Sequence, residues 1–153
     1  MTCSRTSGGE RGASIVEFAV LAPVMALIVM GVIDLARGYQ MQIRLENAAR
    51  EGAAYAERYP NDVFDCPGTD ITKRVIAEDG VDSLPDFILE VLAEDDDGNL
   101  TVPVTGCGGT EVDSGERVLV EVSATFRILT PIVAQAVGES LTIIASAEIE
   151  AQG

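Results

Sequence analysis

Residues 13–33 read ASIVEFAVLAPVMALIVMGVI, and Glu17 is the only charged residue among them. From Phe18 to Ile33 there is no charge at all. At about 1.5 Å per residue, a helix of this length covers roughly the 30 Å hydrocarbon core of a bilayer. The segment is long enough to span a membrane. A cleaved secretory signal has a shorter apolar core followed by a small-residue cleavage site. Here Asp34 and Arg37 follow directly, so the segment is expected to stay in the mature protein. Pro23 lies inside the run and removes one backbone donor, which predicts a kink or a locally melted turn.

The helical signal continues past the apolar run. Residues 34–58, DLARGYQMQIRLENAAREGAAYAER, are rich in Ala, Leu, Arg, Glu and Gln, and Pro60 supplies a stop. One long helix over 13–59 is expected, membrane-spanning over about 13–33. Beyond the span, Leu35, Tyr39 and Ile43 make an apolar stripe. Leu45, Ala48, Ala49, Gly52, Ala53 and Ala56 make a stripe of small residues at helical spacing. Small residues allow close packing, against the chain's own sheet or against neighbouring subunits.

After Pro60 the pattern changes. NDVFDCPGTD is turn-rich, and TDITKRVIAED reads as a short helix capped by Thr69 or Asp70, with Ile71, Val75 and Ile76 inward. DFILEVLAE, NLTVPV, ERVLVEVSATFRI and ESLTIIASAEIEA are β-branched runs, and the last two alternate in part. Gly98-Asn99 between the first two is a hairpin signal. LTPIVAQAVG, between the last two, reads as a short helix or an apolar loop. The expected fold is α+β: a long N-terminal membrane-spanning helix packed on a small antiparallel sheet of about four strands.

Charge and composition narrow the function. The chain of 153 residues has a net charge of -15 and contains neither histidine nor tryptophan. A field of that sign repels phosphate backbones, so nucleic acid is not expected as a partner. Without histidine there is no Ser-His-Asp or Cys-His arrangement and no ordinary zinc site, so no enzyme activity, cofactor or metal is expected. EDDDGN resembles a calcium loop only superficially. With Gly98 at the sixth position, Ala93 falls at the first, where an acid is needed.

The acids are not spread evenly. Residues 57–153 hold five basic and twenty acidic residues, while 34–56 balance three arginines against Asp34, Glu46 and Glu51. The leader MTCSRTSGGERG carries Arg5 and Arg11 against Glu10. A slightly basic leader is expected to remain cytoplasmic, with the acidic domain of residues 60–153 outside. Cys66 and Cys107 fall in that domain, each beside Pro or Gly, and Cys3 falls in the leader. An outside location suits one disulfide between Cys66 and Cys107, with two unpaired buried thiols as the other reading.

Glu17 calls for a reason. Placing an acid at the centre of a bilayer costs about 2.5 to 3.5 kcal/mol on insertion scales, and less near the interface. One reading puts it just outside the hydrocarbon, with the span starting at Phe18. Another supposes a cut after Gly12. The new amino group on Ala13 then lies one helical turn from Glu17 and can pair with it, or with the same glutamate of an adjacent molecule.

The string ERGASIVEFAVLAPVMALIVMGVIDLARGYQMQIRLENAAREGAAYA, residues 10–56, resembles the N-terminal signature of TadE-like proteins, the minor pseudopilins of tight-adherence (Flp, type IVc) pilus systems. The resemblance rests on R-G-A-x-x-V-E-F, on the proline in the apolar run and on A-A-R-E-G-A-x-Y-A. TPIVAQAVGESLTIIASAEIE is similar to the family's looser ending. It implies a cytoplasmic leader over 1–12, cleavage between Gly12 and Ala13 by a prepilin peptidase, and assembly through Glu17 and Phe18. The implied partners are other pilin or pseudopilin subunits, the pilus assembly platform and membrane lipid. The implied location is the inner cell membrane, single-pass. The alternative from another class is an uncleaved membrane-anchored binding module outside the cell.

Overall fold

The computed structural model describes residues 9–59, 70–77, 80–94, 98–101 and 115–150. Helix α1 spans Gly9–Arg58, fifty residues. It is followed by helix α2, Asp70–Ala77, a 3-10 turn at Val81–Ser83, and strands β1, Ile88–Glu94, and β2, Leu100–Thr101. Strand β3, Arg117–Arg127, helix α3, Pro131–Val137, and strand β4, Ser140–Glu150, complete the order. The sheet is antiparallel in the order β2-β1-β3-β4.

The helix runs unbroken through Pro23, so of the two expected outcomes, a kink or a melted turn, the melted turn does not form. Proline removes only the N–H that would meet the Ala19 carbonyl, and the flanking turns hold the helical path. Of the four expected strands, three carry the sheet and the fourth is vestigial. The fourth run, NLTVPV, contributes only Leu100-Thr101 within the described residues, paired to Glu94 and Ala93. LTPIVAQAVG takes the helical option as α3, with Pro131 at its first turn, where a missing N–H costs nothing.

Strand β3 is the centre. It pairs with β1 from Ile88↔Ser123 to Ala93↔Val118, and with β4 along its whole length from Arg117↔Glu150 to Arg127↔Ser140. Its burial alternates strictly, placing Val118, Val120, Val122, Ala124 and Phe126 on the helix side. That is the period-2 signature of a strand with one covered face. The opposing surface is the small stripe of α1: Leu45, Ala48, Ala49, Ala53 and Ala56 are all buried. Side chains this short bring the helix backbone close to the sheet. Gly52 marks the closest approach, because a Cβ there would lie 2.8 Å from Val75 Cγ2 and 3.0 Å from Val120 Cγ1.

Helix α2 closes the core from the side with Ile71 and Val75, both buried; Ile76, expected inward as well, is only partly covered. The other stripe of α1 has a different fate. Leu35, Tyr39 and Ile43 remain exposed. The sheet therefore covers the small stripe, and the larger apolar one is left to something else.

Candidate functional site

Gly12, Ala13, Glu17 and Phe18 stand on the N-terminal part of α1, clear of the folded domain. All four are exposed, as are Ile15 and Val16 beside them. Among the described residues, α1 is the one helix long and apolar enough to cross a membrane; its most apolar window has a mean hydropathy of 2.5 and none of it is buried. A soluble core helix with these side chains would be covered. This one is left uncovered by the described residues of its own chain.

A Cβ added to Gly12 meets nothing within 4 Å. Packing therefore sets no requirement for glycine at this position, in contrast with Gly52. Ala13 and Glu17 are four residues apart on one continuous helix, so they lie on the same face about one turn apart. No described residue of the domain covers either of them.

At the other end of the span the structure forms a joint that sequence reasoning did not single out. Asp34 is only 6% exposed although it follows the apolar run directly. Its Oδ2 accepts the backbone N–H of Thr130 at 2.8 Å, and both oxygens accept the N–H of Leu129 at 3.2 Å. Arg37 adds an ion pair at 3.4 Å and lies 5.4 Å over the ring of Phe126. The carboxylate thus ties the L-T-P turn that starts α3 to the turn of α1 that follows the apolar run. The Thr130 hydroxyl is buried without a hydrogen bond of good geometry. Its dipole beside Asp34, the amides of Thr130 and Leu129, and then Arg37 hold that carboxyl below the ordinary aspartate value, against the upward push of burial.

The only hint in the sequence was an acid placed directly after an apolar run, one turn before an arginine. Its partners lie ninety-five and ninety-six residues further on.

The domain's far end holds a second polar joint. Arg117 forks onto Glu94, with Nε to Oε2 and Nη2 to Oε1 both at 2.9 Å, and reaches Glu148 at 3.2 Å. This clamps β1, β3 and β4 together. The Arg117 fork holds the Glu94 carboxyl low, and Glu94 followed by Glu148 pushes the guanidinium up. Cys3, Cys66 and Cys107, the leader up to Gly8, and Asp95 to Asp97 of the acidic turn lie outside the described residues.

Residues 12–54 match the TadE-like protein family. This stretch, less than a third of the chain, is similar to TadE-like proteins. No curated protein and no solved structure matches the chain. The TadE-like segment begins at Gly12, takes in Glu17, Pro23 and Asp34, and ends within the small stripe that includes Gly52 and Ala53. It therefore covers both the uncovered apolar half of α1 and most of the surface on which the sheet packs. Every strand lies beyond it.

Proposed function

We propose that this protein is a minor pilin-like subunit, a pseudopilin, that serves assembly of a tight-adherence type IV pilus. Residues 13–33 anchor it in the inner membrane with the N-terminus cytoplasmic and the acidic domain outside. A prepilin peptidase removes residues 1–12 by cutting between Gly12 and Ala13. The observation that carries this reading is the TadE-like match at residues 12–54, which starts at the glycine that the fold itself does not need. A small residue without a packing role fits a backbone that must enter a protease.

The chemistry of assembly follows from the cut. Before it, the nitrogen of Ala13 is a neutral amide. After it, Ala13 carries a cationic amine one turn from the Glu17 carboxylate, in a segment that is otherwise apolar. Pairing Glu17 with the amine of a neighbouring subunit satisfies both charges and fixes the axial register of adjacent helices; Phe18 and its apolar neighbours supply the contact surface. The folded domain contributes nothing to this pairing, so insertion and folding are independent of it.

Replacing Glu17 with glutamine tests the role. The variant should be inserted and cleaved after Gly12 but should fail to co-purify with pilin partners or to support piliation, because an amine left without its counterion in a poorly solvated place is strongly unfavourable. Assembly equal to that of the original would place Glu17 in the headgroup region with no role in subunit pairing. Retention of the leader in the presence of the peptidase would favour the uncleaved binding module instead.

A further inference from the structure

Helix α3 is an apolar helix that the domain does not cover. None of its residues is buried, and no charged residue occurs from Ile128 to Gly138. Leu129 is 64% exposed, Ile132 57% and Val137 56%, and Leu141 and Ile144 of β4 are exposed close by in sequence. Among the described residues, half of the large apolar side chains exposed outside the span are therefore concentrated in residues 129–144.

The position of α3 is fixed by Asp34. Its first turn hangs from the carboxylate through the Leu129 and Thr130 amides. Val133 and Val137 line an open apolar groove with Gly31, Leu35, Phe126 and Ile128. Gly31 lies inside the apolar run, so α3 stands beside the last turn of the span. If residues 13–33 fill the roughly 30 Å hydrocarbon core, residues 34–39 lie in the headgroup layer. Tyr39, exposed on that level, is the side chain type enriched there. Arg37, Arg44 and Arg127 line a second groove on the same end of the domain. Asp34, Glu46 and Asp86 are among the acids close to its lining in sequence, Asp34 pairing with Arg37, and Glu139 adjoins Ser140, the strand partner of Arg127, whereas Glu90, Glu94, Glu116, Glu148 and Glu150 gather toward the opposite end of the sheet.

We infer that α3, with Leu129, is a second membrane contact: it lies in the outer interface of the bilayer that α1 crosses, with Leu129, Ile132 and Val137 in the upper acyl region and arginines facing lipid phosphates. The occupant of the exposed face is lipid. An interfacial helix of this kind buries its apolar side about 5 to 10 Å into the boundary between headgroups and chains. With one contact at α1 and another at α3, the domain has a set tilt over the membrane instead of swinging on a single helix. The inference rests on the span at 13–33 and is independent of leader cleavage and of the pilus role.

The absence of tryptophan makes the test clean. Ile132→Trp, Val137→Trp, Val24→Trp and Ile88→Trp are each introduced into the full chain and reconstituted in phosphatidylcholine–phosphatidylglycerol vesicles whose acyl chains are brominated near the carbonyl or near the chain end. Expected are a blue-shifted emission for Ile132→Trp and Val137→Trp and loss of most of it to bromine near the carbonyl. Val24→Trp should be quenched by bromine near the chain end, and Ile88→Trp by neither. If Val24→Trp is quenched while both α3 variants emit as in water, the span stands and the α3 contact is overturned. Emission from α3 that is blue-shifted but unquenched means that protein covers it, which also overturns the inference. Quenching of Ile88→Trp would reduce the signal to non-specific adsorption and overturn it too. An unquenched Val24→Trp removes the span and this inference with it.

Discussion

The two halves of α1 have the same secondary structure and opposite surroundings. Residues 12–33 carry large apolar side chains that none of the described residues buries, whereas residues 45–56 bury short ones against the sheet. Size, more than hydrophobicity, separates them. Large side chains around the whole circumference suit a lipid or subunit environment, which adapts to them. A helix seated on a rigid sheet needs a flat strip of Ala and Gly so that its backbone can come close. Asp34 marks the boundary between the two regimes, and its three hydrogen bonds from backbone amides join them.

The sharpest way to break this comparison is to put the same methyl group into each half. Gly52→Ala places a Cβ against Val75 and Val120 at 2.8 and 3.0 Å. Overpacking of this kind costs about 1 to 3 kcal/mol, of which up to about 1 is offset by alanine's better helix propensity. Thermal unfolding of the domain should show a lower midpoint. Gly31→Ala, where nothing lies within 4 Å, should leave that midpoint unchanged. Equal effects at both positions would mean that the sheet does not seat on the small stripe.

Asp34→Asn tests the boundary. The amide can accept fewer of the Leu129 and Thr130 N–H bonds and loses the ion pair with Arg37. The Leu129 and Thr130 amides should exchange with solvent faster, with little change in the core of β3. The pH dependence has a definite sign. Because the folded carboxyl titrates below the ordinary aspartate value, its contribution is complete above that value and is lost as pH falls through it to the lowered folded one. Loss of protection at these two amides, taken relative to their intrinsic exchange rates, should therefore appear on acidification below about pH 4, and Asp34→Asn should abolish that step.

The smallest effect has the opposite sign. At Gly38 a Cβ would sit 3.7 Å from the Phe126 ring, an ordinary contact. Gly38→Ala should stabilise the domain by up to about 1 kcal/mol through helix propensity, read as a higher unfolding midpoint.

What the sequence revealed follows from the range of the interactions. The long helix was legible because its signals are local: an apolar run, helix formers and Pro60. The small stripe at Leu45 to Ala56 was legible as a packing surface by its spacing, although spacing alone did not decide between the chain's own sheet and another subunit. Strand β3 was visible in its alternation. The joint at Asp34 was not, because a carboxylate bonded to amides ninety-five residues away leaves no periodic trace. For the same reason the Arg117 fork across three strands was not legible from any one of them. Leu35, Tyr39 and Ile43 were visible as a stripe, but only the placement of the sheet showed that the domain leaves them uncovered.

The central claim is that the uncovered half of α1 begins, in the working protein, with a free amine at Ala13 set one turn before Glu17. Intact-mass measurement and N-terminal sequencing of the membrane-extracted protein, co-produced with a prepilin peptidase, test it most directly. The account predicts a chain that starts at Ala13, lighter than the 16.1 kDa precursor by residues 1–12. It also predicts that Gly12→Val, which the fold accommodates freely, retains the whole leader. A protein that keeps Met1 to Gly12 under those conditions, or a Gly12→Val variant processed as well as the original, would contradict it.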